Sequence, residues 1–124
     1  MIDLAPNHKL GMEIANPVLL AGGVIGYGEA SPRGNSWVGL GGVVIGPIMR
    51  RSRAGSAPPR IAETNGGVVM ANGMQNRGIA ATIKNFAKLW PKLGCPVIAQ
   101  LADTQVDDVE RVASHLTSAE GLSA

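Results

Sequence analysis

An α/β fold built on a parallel sheet is what this 124-residue sequence predicts, on three observations. Three short apolar runs, Pro17 to Ala21, Gly42 to Ile45 and Pro96 to Ala102, read as strands buried on both faces. Apolar residues at helical spacing follow the second and third runs. Glycine, proline and Asn-Gly signals punctuate the segments between them. Buried strands alternating with helices imply a parallel sheet with right-handed crossovers.

Taken in order, residues 1–16 carry Pro6-Asn7 and Gly11 as turn signals. Ile2, Leu4, Leu10, Met12 and Ile14 nearly alternate, which predicts a small hairpin. The first apolar run stops at Gly22-Gly23. Glu29 to Leu40 falls where a first helix belongs, although Pro32, Gly34 and Asn35 weaken it. The second run stops at Gly46-Pro47. Arg60 to Thr64 and Val68 to Ala71 flank Asn65-Gly66, a strong signal for a hairpin insert. Ile79, Ile83, Phe86 and Trp90 line one face of a helix that Pro91 stops. After the third run, Val106, Val109, Val112, Ala113 and Leu116 mark another helix, with Thr104 as its expected N-cap and Gly121 as its stop. Along the strands, Val18, Leu20, Val43, Ile45, Val97 and Ala99 are expected to face away from the helices.

Composition narrows the function classes. Apolar residues make up 45% of the chain and only Tyr27, Trp37, Phe86 and Trp90 are aromatic, so the core must be mainly aliphatic. The net charge of +2 is small. Arg50, Arg51, Arg53 and Arg60 could form a basic patch for nucleic acid. They lack interleaved aromatics and sit in a Pro/Ser/Gly-rich stretch, so they read as a solvated loop and no nucleic-acid partner is expected. One cysteine, Cys95, allows no intramolecular disulfide and no metal cluster. No apolar run is long enough to span a bilayer, and a cytoplasmic protein without a membrane partner is expected.

The candidate chemistry starts at the first strand's carboxyl end, where α/β proteins place their sites. Ala21-Gly22-Gly23-Val24-Ile25-Gly26-Tyr27-Gly28 holds four glycines there. The spacing is not that of a dinucleotide fingerprint, and no Gly-Lys-Ser/Thr follows to make a P-loop. By itself this is a tight strand-to-helix loop that either touches a ligand or merely turns the chain. Cys95 precedes the third strand and reads as a structural thiol. His8 and His115 lack partners that would make them bases or metal ligands. Asp103, Asp107 and Asp108 read as charges at a helix N-terminus. No residue is assigned a catalytic role and no metal site is expected.

A longer pattern is far more specific. Pro58-Pro59-Arg60-Ile61-Ala62-Glu63-Thr64, Gly66-Gly67, Ala71, Gly73, Gln75-Asn76 and Gly78 follow one another at family spacing. Read with Asp3-Leu4-Ala5-Pro6-Asn7, Asn16-Pro17 and the Gly26-Tyr27-Gly28 turn, they resemble the FMN-dependent dihydroorotate dehydrogenases. The NAD-linked heteromeric branch of bacteria and archaea is the nearest. The resemblance implies the N-terminal part of a TIM (β/α)8 barrel. Residues 1–124 would make about three βα units, with an N-terminal hairpin, a hairpin insert after the second strand, and an end before the fourth strand. Such a barrel takes roughly 200 residues or more.

The same resemblance implies an oxidoreductase of pyrimidine biosynthesis that takes dihydroorotate to orotate, with FMN as its cofactor. Ala21, Gly22, Gly23, Gly46 and Gln100 would contact the flavin. Ala71, Asn72, Gly73, Met74 and Asn76 would bind the pyrimidine. A second subunit with FAD and an iron–sulfur cluster would pass electrons to NAD, and a homo-oligomer is expected. The family's base loop and phosphate loops would lie beyond residue 124, leaving these residues alone inactive. Three positions depart from the pattern. Gly46 stands where the family has a lysine, Met70 where it has an asparagine, and Gln100 where it has another asparagine. A lysine placed at 46 is expected to restore a charge-assisted hydrogen bond to a carboxylated ring. The departures leave two alternatives open, a non-catalytic relative and a flavoprotein acting on another ring.

Overall fold

The computed structural model describes residues 1–30 and 37–124. Strands β1 (Ile2–Asp3) and β2 (Glu13–Ile14) pair antiparallel, Ile2 against Ile14 and Asp3 against Glu13. Asp3 closes this expected hairpin, its Oδ1 accepting the backbone N–H of Ala5 at 2.9 Å and of Met12 at 2.8 Å. Those two bonds stabilise the carboxylate and hold its pKa below the ordinary value.

The central sheet is parallel, in the order β3 (Leu19–Leu20), β4 (Gly42–Ile48), β7 (Val97–Leu101). The first strand is shorter than the apolar run that predicts it. The second is longer and passes through Gly46-Pro47, because the chain bulges there instead of stopping. Ile45 pairs with Ala99 and Ile48 with Leu101, so three steps on β4 oppose two on β7. The outer edge of β7 is engaged in turn: Ser123 N–H donates to Val97 O at 2.8 Å, and Ala99 N–H to Ala124 O at 2.7 Å.

Between β4 and β7 comes the insert, β5 (Ile61–Thr64) antiparallel to β6 (Gly67–Met70) across the expected Asn65-Gly66 turn. Helix α1 (Ile79–Phe86) buries Ile79, Thr82 and Phe86. It ends earlier than its apolar stripe does. Trp90 instead sits in a separate 3-10 turn, Trp90–Lys92, with Pro91 near its start. Helix α2 (Val106–Thr117) buries Val112 and Leu116. Its N-cap is Gln105, not Thr104, and no side chain caps it. Asp107 and Asp108 in its first turn take over the stabilisation of the helix N-terminus. The middle half of the helix expected over 29–40 falls on residues outside the described ones, and the described flanks are turn or irregular.

The core lies between the sheet and the helices. Val43, Ile45 and Val97 are essentially inaccessible and cluster with Ile25, Phe86, Trp90, Val112 and Leu116, while Leu20 and Ala99 pack on the margin. This reverses the expected facing, since all five of those strand residues lie under the helices. Val18, the sixth, is exposed. The face away from the helices carries Val44 and Gln100 instead. A Cβ on Gly22 would point at both the Gln100 amide and Val44 Cγ1. In a strand the side-chain period is two, so a one-residue error in facing inverts every assignment.

Candidate ligand-binding face at the carboxyl ends of the strands

The loop after β3 leaves Ala21, Gly22 and Gly23 exposed on the helix-free face. Gly22 keeps this surface flat: a side chain there would meet Gln100 Oε1 and push the exposed Gln100 amide aside. Gln100, exposed near the end of β7, thus lies directly against the loop that follows β3. The loop's far end is tied down from below. Gly46 N–H donates to Gly26 O at 3.0 Å, Glu29 Oε2 accepts Tyr27 N–H at 2.5 Å, and Trp90 Nε1 donates to Tyr27 O at 2.9 Å.

Gly46 joins this group through its backbone. Its φ of 110° lies where L-residues are strained, and its absent Cβ would lie 2.7 Å from Gln100 O. A lysine here would meet an unfavourable backbone and a carbonyl before it reached any ligand. The expectation that such a lysine restores binding is therefore revised: the bulge that lengthens β4 shapes this position for glycine.

The second loop, 71–76, runs from β6 to the start of α1. Asn72 Oδ1 accepts Met74 N–H at 3.0 Å, and the tight turn places Met74 at a φ of 54°. Ala71, Asn72 and Met74 are exposed and Gly73 is half-buried. Asn76 is different. It is buried, and its amide is engaged within the chain: Oδ1 accepts Met49 N–H at 3.2 Å and Gly78 N–H at 3.0 Å, and Nδ2 donates to Pro47 O at 2.6 Å. An open cleft of about 440 Å³ separates the two loops, lined by Tyr27, Glu29, Gln75, Asn76 and Arg77. Tyr27 stacks on Phe86 at 5.3 Å, and the Arg77 guanidinium lies 5.5 Å from the same ring.

The structure thus brings Gly22, Gln100 and Gly46 together, places Ala21 and Gly23 beside them, and sets Ala71 to Met74 on a separate loop. Sequence reasoning missed what the arginines do. Arg60 is folded inward: Nε donates to Ser56 O and Nη1 to Gln75 Oε1, each at 2.6 Å, and Nη2 donates to Ala54 O at 3.0 Å. Arg50 pairs with Asp108 at 2.5 Å. Its own N–H reaches Asp103 Oδ2 at 2.9 Å. Asp103 therefore ties the segment after β4 to the β7–α2 loop and does not cap α2, and the backbone N–H groups of Arg50 and Thr104 hold its pKa below the ordinary carboxylate value. Arg60 and Arg50 each had a signal in the sequence, a proline pair before one and a cluster of acids downstream of the other, but neither names a partner.

The remaining candidates are quiet. Burial pushes the Cys95 thiol up, away from the reactive thiolate. His8 and His115 are exposed, and among the described residues each bonds nearby backbone. Among the described residues there is no group of three potential metal ligands and no helix long and apolar enough to cross a membrane.

Parallel strands whose carboxyl-end loops converge on one open face define a mixed α/β protein with its candidate site at the strands' carboxyl ends. The family profile of dihydroorotate dehydrogenase matches residues 6–122, and the chain belongs to that family. It is 37% identical over 114 residues to the dihydroorotate dehydrogenase B (NAD(+)) catalytic subunit of Desulforudis audaxviator, covering 92% of this chain and 37% of that one. It is also 37% identical over 122 residues to the same-named subunit of Endomicrobium trichonymphae, covering 98% and 40%. The Bacillus pumilus counterpart is 32% identical over 114 residues, covering 92% and 37%. The chain therefore spans about two fifths of the length of these relatives.

Proposed function

We propose that residues 1–124 are the N-terminal part of the catalytic subunit of an FMN-dependent dihydroorotate dehydrogenase, folded as the first portion of a (β/α)8 barrel. The observation that carries this reading is the Gly22, Val44 and Gln100 face. It lies away from the helices, has no side chain at Gly22, and is edged by an amide, in a chain of this family. A flat ring needs such a surface, and the backbone of Ala21 to Gly23 offers it. Bound there, FMN would accept the hydride taken from the dihydropyrimidine. The chain's own part is to present a flat floor, to offer the Gln100 amide at the ring edge, and to set Ala71 to Met74 against the substrate, with Asn76 behind them. The barrel's remaining strands would complete the site in the whole protein, which is read as cytoplasmic.

The relatives' names specify a catalytic subunit of an NAD(+)-linked enzyme, which supports a second, electron-transfer subunit as partner; in the proposal this partner carries FAD and an iron–sulfur cluster, and the catalytic subunit is a homo-oligomer. A second reading keeps the flavin and changes the ring. Gly46 favours it, since neither its identity nor its backbone admits a cation at that point. One titration separates the two in the full-length protein. Orotate shifting the flavin absorbance at micromolar concentration supports the first reading; a flavoprotein blind to orotate supports the second. Replacing Gly22 with leucine should abolish flavin retention under either. A Gly22→Leu protein that keeps its flavin defeats both.

A further inference from the structure

The loop expected to meet the pyrimidine is held at both ends by side chains that point away from its open surface. At the near end, Ala71 N–H donates to Arg60 O at 2.8 Å and Ser56 N–H to Asn72 O at 3.1 Å. The Arg60 guanidinium then crosses from Ala54 O and Ser56 O to Gln75 Oε1, so one planar fork joins the 53–56 segment to the loop. At the far end, Arg53 and Asn76 exchange both backbone hydrogen bonds, at 2.8 and 2.9 Å. The buried Asn76 amide adds Pro47, Met49 and Gly78, which ties the loop to the end of β4 and the start of α1. Between these anchors Asn72 and Met74 stay exposed. We infer that Arg60 and Asn76 are positioning residues. They fix the backbone of the 72–75 turn, and so the direction of its exposed groups, without touching the ligand themselves. The inference rests on the proposed pyrimidine role of this loop.

Arginine is required by the geometry and not by charge alone. A lysine keeps the charge but cannot bridge three acceptors in one plane. An Asn76→Asp change keeps the size and the acceptors but removes the donor to Pro47 O. Because Asn76 is buried and its variant could misfold, half-buried Arg60 supplies the decisive variant.

The test uses full-length, flavin-loaded protein carrying Arg60→Lys, with Asn76→Asp as the second variant. Hydrogen exchange is followed without any pyrimidine, alongside flavin affinity and the orotate-induced absorbance shift. We expect exchange at the Ser56, Met74 and Asn76 amides to accelerate by about tenfold or more, the equivalent of one charge-assisted hydrogen bond. Orotate affinity should fall by a similar factor, with flavin affinity changed less than about twofold. Unchanged exchange in Arg60→Lys overturns the clamp. Faster exchange with undiminished orotate affinity overturns the positioning role, and parallel loss of flavin and orotate reduces both residues to general structural supports. If the parent protein itself ignores orotate, the pyrimidine reading fails, while the exchange measurement still decides whether the clamp exists.

Discussion

The helix-covered sheet and the β5–β6 hairpin are both regular, yet they are held by different forces. In the sheet layer Val43, Ile45, Val97 and Trp90 are almost fully buried, and removal of apolar surface from water dominates. In the hairpin all eight strand residues are exposed, Ile61, Val68, Val69 and Met70 among them. Its order comes from the Asn65-Gly66 turn, four backbone-paired positions, and the anchoring of its base through Arg60 and Ala71. A lone two-stranded hairpin is marginal in water, so this one depends on what it is attached to. Secondary structure alone thus says little about where stability resides.

Breaking the buried side should have the largest effect. Trp90→Ala removes the largest fully buried side chain and its bond to Tyr27 O, and should cost about 3 to 5 kcal/mol in denaturant unfolding. A cost under 1 kcal/mol would mean that the sheet–helix core is not the seat of stability. Gly46→Lys should follow, costing about 1 to 3 kcal/mol through the backbone conformation at the bulge. The same unfolding curves check it, and a stabilised variant would return lysine to the list of groups this position accepts.

The hairpin should answer differently. Val68→Lys with Val69→Lys should alter unfolding free energy by no more than about 0.5 kcal/mol, as surface changes do. Self-association should change much more. The 124-residue chain exposes this hairpin together with Val18 and part of the helix-free face, and at micromolar concentration it should dimerise or aggregate in light scattering. The double variant should shift it toward monomer, whereas a parent chain that is already monodisperse would contradict this.

The smallest effect is electrostatic. The folded pKa of Asp103 lies below its ordinary 3.8, so its contribution is present above about that pH and is lost as pH falls through the lower folded value. Asp103→Asn should flatten the acid limb of a stability-versus-pH curve by a small loss of stability at neutral pH, with the most acidic end unchanged. An identical acid limb would place the acid sensitivity elsewhere, with Asp3 the first alternative.

The elements were largely readable from the sequence because their signals are local. Asn65-Gly66 marks one turn, and apolar runs mark the parallel strands. Facing was not readable from β4, where Val43, Val44 and Ile45 are all apolar and either parity fits. β7 did hold the answer. Gln100 is polar, so Val97, Ala99 and Leu101 belong on the covered side, and pairing carries that choice to Val43 and Ile45. The length of β4 escaped because Gly46-Pro47 is a strong stop signal, and only the partner strand reveals that the chain bulges and continues. The inward turn of Arg60 escaped for a related reason. Its acceptors are two carbonyls and an amide 15 residues away, and carbonyls carry no sequence signature.

The bulge on β4 also acts on the fold as a whole. Two evenly spaced ladders can join one notch out of step and still satisfy most of their teeth. The pairing of β4 with β7 is uneven, with matched steps up to Ile45 and Ala99, then a skipped tooth, then Ile48 against Leu101. Sliding either strand would bring the skipped tooth opposite a regular one and leave polar backbone unpaired on both sides. The irregularity works as a key cut into the edge, admitting one alignment of the sheet and, with it, one placement of Gly22, Gly46 and Gln100.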